Sequence, residues 1–244
     1  MLGGKKRNAG VALAKVYGSA PPNDWRGAIS RLVGDAATWL AAAPYGFSVN
    51  YGEARKFDTG ALERRIGSSD GIEYLDLLSK SQNAGLFVTT PFLRVLPRPL
   101  YECCFFRSGD VEREEFFLDV VRLVDRHLRV VYGYGRELPL EADALSETVP
   151  RRTLFGNSVL KTDPELHVWK SGPTLDGGLK GLYQFNLVPG SMLRDNALLG
   201  SIVQELPPDR IRTIDRSLSA MILSGADLRR VREKAPDLKD FVRS

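Results

Sequence analysis

The sequence is short of the residues that most often announce chemistry, with two cysteines and two histidines among 244 residues. Each shortage excludes something. Cys103 and Cys104 are adjacent, and on a strand neighbouring side chains point to opposite faces, so no disulfide is expected between them. With no histidine at ligand spacing they do not form a zinc site either, and they read as two small core residues of a reducing compartment. His127 and His167 leave few ways to assemble His-based catalysis, and no G-x-S-x-G elbow or G-x-x-x-x-G-K-[ST] loop occurs. No metal and no cofactor is therefore expected.

Long apolar runs are also missing. Nowhere do ~18 consecutive apolar residues occur, and the stretch Val11 to Val16 is interrupted by Lys15 and too short for a signal peptide. The expectation is a cytoplasmic protein with no membrane partner, whose Gly-rich start is a frayed end. Charge of one sign is scarce too, since 34 Lys and Arg stand against 30 Asp and Glu for a net +4. Arg210, Arg212, Arg216, Arg229, Arg230 and Arg232 alternate with Asp209, Asp215, Asp227 and Glu233. A nucleic-acid footprint clusters its positive charge, so this interleaving argues against one. There is no repeat and no low-complexity tract.

What is present is an ordinary globular composition, 43% hydrophobic and 26% charged. A chain of this length buries roughly 70–75% of its unfolded surface and needs no staple. We read it as a single globular domain over 1–244, with a soft subdivision near 150 into a first half, 20–149, and a second, 150–244.

Hydrophobic periodicity supplies the elements. Ile29, Leu32, Val33, Ala36, Ala37 and Leu40 recur at helical spacing behind Asp24. Phe47, Val49 and Tyr51 alternate as a strand, a helix is read over Ile72 to Ser79, and Leu86 to Thr90 is extended. Three prolines between Pro91 and Pro99 forbid a helix there. Leu100 to Arg107 is a clear strand. Next comes a well-signed helix from a cap at Asp110, with Glu112, Glu114 and Glu115 at its positive end and Arg122, Arg126 and His127 at its negative end.

Leu128 to Tyr134 returns to a strand, which the short turn makes a neighbour of Leu100 to Arg107. Beyond Pro150, strand-like runs at Leu166 to Trp169, Leu182 to Val188 and Arg210 to Leu223 alternate with helices near Met192 to Gly200 and Ala226 to Lys234. Gly177 and Gly178 suit a hairpin turn. Without regular βαβ alternation, the expected class is α+β: a mixed, largely antiparallel sheet with packed helices, with room for two similar α+β halves.

Two constellations bear on function. Arg122 and His127 form an R-x4-H pair that resembles the motif of HEPN-type metal-independent ribonucleases, which implies an Arg and a His acting on an RNA phosphate and its 2′-hydroxyl. Leu123 stands where that family carries a polar residue, and that fold is all-helical. The plainer explanation is a pair of helix C-terminal charges. Tyr132 and Tyr134 share one strand face while Gly133 and Gly135 bare the other, where a helix or backbone can approach closely. With Arg136, Glu137 and Trp169 the two tyrosines make the candidate partner-binding patch, Tyr, Trp and Arg being the commonest hot-spot residues. Internal packing is the competing reading of the tyrosines.

From Phe47 to Leu138, the strand, the acidic-to-apolar helix and the Gly133, Tyr134, Gly135 turn resemble the bacterial immunity proteins of polymorphic toxin and type VI secretion systems. The later run Gly181, Leu182, Tyr183, Gln184, Phe185, Asn186, Leu187, with its Leu-rich short helix, closing strand and terminal helix, extends the resemblance. It implies a non-enzymatic protein that binds one cognate toxin in a stoichiometric complex. The rival classes are the Arg122/His127 ribonuclease and a structural protein that self-associates, so a homo-oligomer stays open.

Overall fold

The computed structural model describes residues 10–21, 23–40, 44–50, 52–81, 83–90, 100–138, 182–195, 197–215 and 217–234. Its strands are β1 (Val11–Ser19), β2 (Pro44–Val49), β3 (Arg55–Lys56), β4 (Tyr74–Ser79), β5 (Ala84–Thr89), β6 (Leu100–Ser108), β7 (Arg129–Leu138), β8 (Phe185–Pro189), β9 (Ile211–Thr213) and β10 (Leu218–Ile222). The helices are α1 (Trp25–Trp39), α2 (Thr59–Gly67), α3 (Arg113–Asp125), α4 (Gly190–Asp195), α5 (Ala197–Glu205) and α6 (Gly225–Lys234). All ten strands form one sheet in the order β3-β2-β4-β5-β6-β1-β7-β8-β10-β9. Every pairing in it is antiparallel. The class is therefore α+β, and the β7–β8 pairing carries the sheet across residue 150.

The centre of the sheet departs from the sequence reading. β6 and β7 are not neighbours, because β1 lies between them and pairs antiparallel with both. They therefore run parallel to one another, and α3 is the crossover that such strands require. The stretch expected to lead out of a frayed end is thus a central strand, with Val11 to Gly18 all buried. A second correction concerns Ile72 to Ser79, which is the strand β4 and not a helix, with Tyr74, Leu75, Leu77 and Ser79 buried. A short apolar run does not separate the two by periodicity. The helix of this region is α2, where Asp58 caps by accepting the Ala61 N–H at 2.7 Å.

One face of the sheet carries α1, α2 and α3. Ala12, Ala14 and Val16 of β1 and Cys103 and Phe105 of β6 meet Ile29, Leu32 and Val33 of α1 and Phe117, Val120, Val121 and Val124 of α3 in a single apolar core. Burying the valine, leucine, isoleucine and phenylalanine side chains among them stabilises by about 1.5–3 kcal/mol each. Glycine on β7 sets how closely α3 approaches: a Cβ at Gly135 would stand 2.8 Å from the Phe117 ring and 3.3 Å from Phe185 Cβ. Phe117 and Phe185 stack over that bare stretch with centroids 5.5 Å apart. α3 itself starts two residues later than a cap at Asp110 predicts, with the Glu112 carboxylate accepting the Glu115 N–H at 2.6 Å.

The cysteines divide between the two faces as strand alternation requires. Cys103 belongs to the helix-side core and Cys104 to a cluster with Phe87, Phe106 and Leu13 on the other side. Both are free thiols, and burial pushes Cys103 up, far from the thiolate.

Candidate functional site

The Arg122/His127 pair is separated by the helix that carries it. Arg122 is exposed and ion-paired with Asp119 at 3.1 Å, one turn back. His127 lies past the end of α3, and its Nε2 sits 2.8 Å from Asp35 Oδ2 of α1. The two side chains thus serve different neighbours, and the helix packs on a sheet rather than in a helical bundle. At ~100° per residue, five positions already place them ~140° apart on one helix.

In the candidate partner-binding patch, the two tyrosines are not at the surface. Tyr132 is 3% exposed and Tyr134 is fully buried. Tyr134 stacks on Tyr183 with centroids 4.2 Å apart, and Tyr132 lies 5.8 Å from Tyr17 of β1. The reason is the register: the face opposite the glycines is a second interior, so both sides of β7 are covered. Arg136 is half-buried, its guanidinium 5.9 Å from the Tyr183 ring. Glu137 is exposed but engaged, its carboxylate 3.0 Å from Arg113 of α3 and its N–H donating to Gln184 at 3.1 Å. Trp169 lies outside the described residues, as do His167, the Leu166 to Trp169 strand and the Gly177–Gly178 turn.

In place of an exposed aromatic patch there is an interior polar network. Lys15 is fully buried in the central strand, and its amine lies 3.4 Å from Glu102 Oε1 on β6. The Tyr17 hydroxyl donates to Glu102 Oε2 at 2.7 Å. Burial and the adjacent carboxylate hold Tyr17 well above the usual phenol range, so it stays a donor. Asn186, also fully buried, closes the far side, accepting the Tyr183 N–H at 2.9 Å and donating to the Tyr183 carbonyl at 2.8 Å. The signal for this network was on view as Lys15 inside an otherwise apolar run. Read as an interruption, it hid both the strand and the pair.

A concave surface exists elsewhere. Between the end of β1 and the turn from α3 into β7 lies an open groove of about 410 Å³, lined by residues 19–21 and 125–129. His127 forms part of it, braced by Asp35. Among the described residues no group of three or more His, Cys, Asp or Glu is placed to hold a metal ion.

Taken as a class, this is an α+β protein built on one wholly antiparallel sheet, with three helices on one face and a tyrosine-lined polar interior on the other. Its fold is similar to that of the T6SS protein PA0821 of Pseudomonas aeruginosa, with a TM-score of 0.59 at 15% sequence identity over 98% of this chain and 76% of that one. A slighter likeness, with a TM-score of 0.29 and 10% identity, relates 99% of this chain to 32% of the duplicated taurocyamine kinase of Schistosoma mansoni. No family model matches the chain, and no curated protein matches it in sequence.

Proposed function

We propose that the protein is a non-enzymatic cytoplasmic binding protein that neutralises a cognate toxin by forming a stoichiometric complex with it. The observation that carries this reading is the fold it shares, along nearly its whole length, with a protein of the type VI secretion system. The sequence resemblance to immunity proteins points the same way. A blocker of this kind needs a rigid frame and a complementary surface, and a single sheet covered on both sides supplies the frame. No helix among the described residues is long and apolar enough to cross a membrane, which accords with a protein that meets an incoming toxin inside the cell.

The test is titration of the chain against the products of neighbouring genes that arrest growth when expressed alone, together with survival of cells producing both. A one-to-one complex of nanomolar or tighter affinity and restored growth support the proposal. Growth arrest in the presence of the chain, with no complex at micromolar concentrations, overturns it. RNA cleavage lost on His127→Ala would favour the ribonuclease reading instead, and sedimentation as a concentration-dependent dimer that ignores the toxin would favour self-association.

A further inference from the structure

Tyr132 and Tyr134 lie in the interior, whereas the groove at the α3–β7 turn combines concavity with uncommitted charge. Its floor is apolar: Ala20 and Leu128 are buried, and Leu128 is pressed so closely on β1 that a Cβ at Gly18 would stand 2.7 Å from Leu128 Cβ. Its polar groups divide into two sets. Asp125 Oδ1 accepts the Val130 N–H at 3.3 Å, and His127 is held by Asp35, so both brace the turn. Arg126 and Arg129 are exposed on the rim, and neither side chain meets a carboxylate among the described residues. Arg31, Arg113 and Arg122, by contrast, are each ion-paired.

We infer that this groove receives an acidic loop tip of a protein partner, with carboxylates on Arg126 and Arg129. The inference rests on the binding reading above and gives it a surface. An apolar floor inside a guanidinium rim is the arrangement that protein interfaces favour, with Arg enriched and the centre desolvated. The volume suits two or three side chains and not a whole element. A nucleic-acid strand is a poorer guest, since a groove for it tracks the backbone with aromatic platforms, and no Phe, Tyr or Trp lines this one.

The experiment presents the full-length protein to a displayed library of random seven-residue loops on an inert scaffold, and in parallel to any growth-arresting product of a neighbouring gene. The variants are Arg126→Glu/Arg129→Glu and the milder Arg126→Ala/Arg129→Ala. The control is Arg64→Glu/Arg65→Glu, two exposed arginines on α2 that make the same change in net charge. The expected result is enrichment of Asp- and Glu-bearing loops whose dissociation constant rises at least tenfold in the groove charge reversal and less than threefold in the control. The loss should lie mainly in the association rate and shrink with added salt.

Enriched loops without acidic residues, or equal losses in groove and control variants, overturn the inference. So does a single-stranded RNA oligonucleotide that binds the wild type and is released by the groove variants. Toxin bound with unchanged affinity by both groove variants overturns the inference while neutralisation stands. Toxin not bound by the wild type ends the neutralisation reading and leaves the loop library to decide the groove.

Discussion

The two faces of the sheet are built by different means. The helix-side face is closed by apolar packing alone: alanine on β1 and glycine on β7 make room, and rings from α1 and α3 fill it. The opposite face also buries aromatic rings but threads them with a lysine, a glutamate, an asparagine and tyrosine hydroxyls. Apolar packing tolerates exchange among residues of similar volume. A buried ion pair does not, because removing either partner leaves a charge in a medium that solvates it badly. The lesson is that β1, the strand common to both interiors, is located by sterics on one side and by charge on the other.

The sharpest way to break that contrast is at Lys15. Lys15→Ala should destabilise the fold by about 3–5 kcal/mol, since Glu102 then loses the amine 3.4 Å away. Replacing the pair together, Lys15→Met with Glu102→Leu and Tyr17→Phe to remove the orphaned hydroxyl, should recover most of that loss. Denaturant unfolding of the single and triple variants decides the matter. Equal destabilisation of both would mean that the packing of the site matters and its charge does not.

The helix-side face has its own test, of smaller effect. Gly135→Ala places a methyl group 2.8 Å from the Phe117 ring, so α3 must shift or the ring must leave its rotamer, at about 1–3 kcal/mol. Adding Phe117→Leu should relieve part of the strain, a coupling readable in a double-mutant cycle. Independent, additive effects would show that α3 does not rest on that glycine.

Much of this arrangement was legible from the residues. Helix α3, the strands on either side of it and the meaning of the bare glycine face all follow from periodicity and charge placement. The α+β class and the opposite orientations of Cys103 and Cys104 follow in the same way. What escaped has a common cause, which is that local pattern does not say which strands meet. The insertion of β1 between β6 and β7 is a long-range pairing, and it alone turns Lys15 from an interruption into the centre of a network. Tyr132 and Tyr134 were assigned correctly to one strand face. Whether that face is wet depends on what covers it, which strand alternation does not encode. The Ile72 to Ser79 misreading is different in kind, a run too short for its period to be measured.

The smallest effect expected on the polar face is a dependence on pH. On the polar side Asp76 of β4 accepts from the Ser48 N–H at 2.8 Å and from the Ser48 hydroxyl at 2.9 Å. Burial nevertheless raises it above the ordinary carboxyl value of 3.8, outweighing those hydrogen bonds. A carboxyl whose folded value lies above its unfolded value binds its proton more tightly when folded. Its contribution is therefore fully favourable below the unfolded value and declines as pH rises through the folded one. Asp76→Asn keeps an acceptor for the Ser48 N–H and removes the titration. Relative to wild type it should gain stability between pH 3 and pH 7, by less than the glycine substitution costs. Unfolding midpoints across that range test this, with Ser48→Ala as the partner variant that removes a hydrogen bond lowering the Asp76 value and so enlarges the wild-type slope. A wild-type slope left unaltered by both substitutions would mean that the polar face does not respond to pH through Asp76.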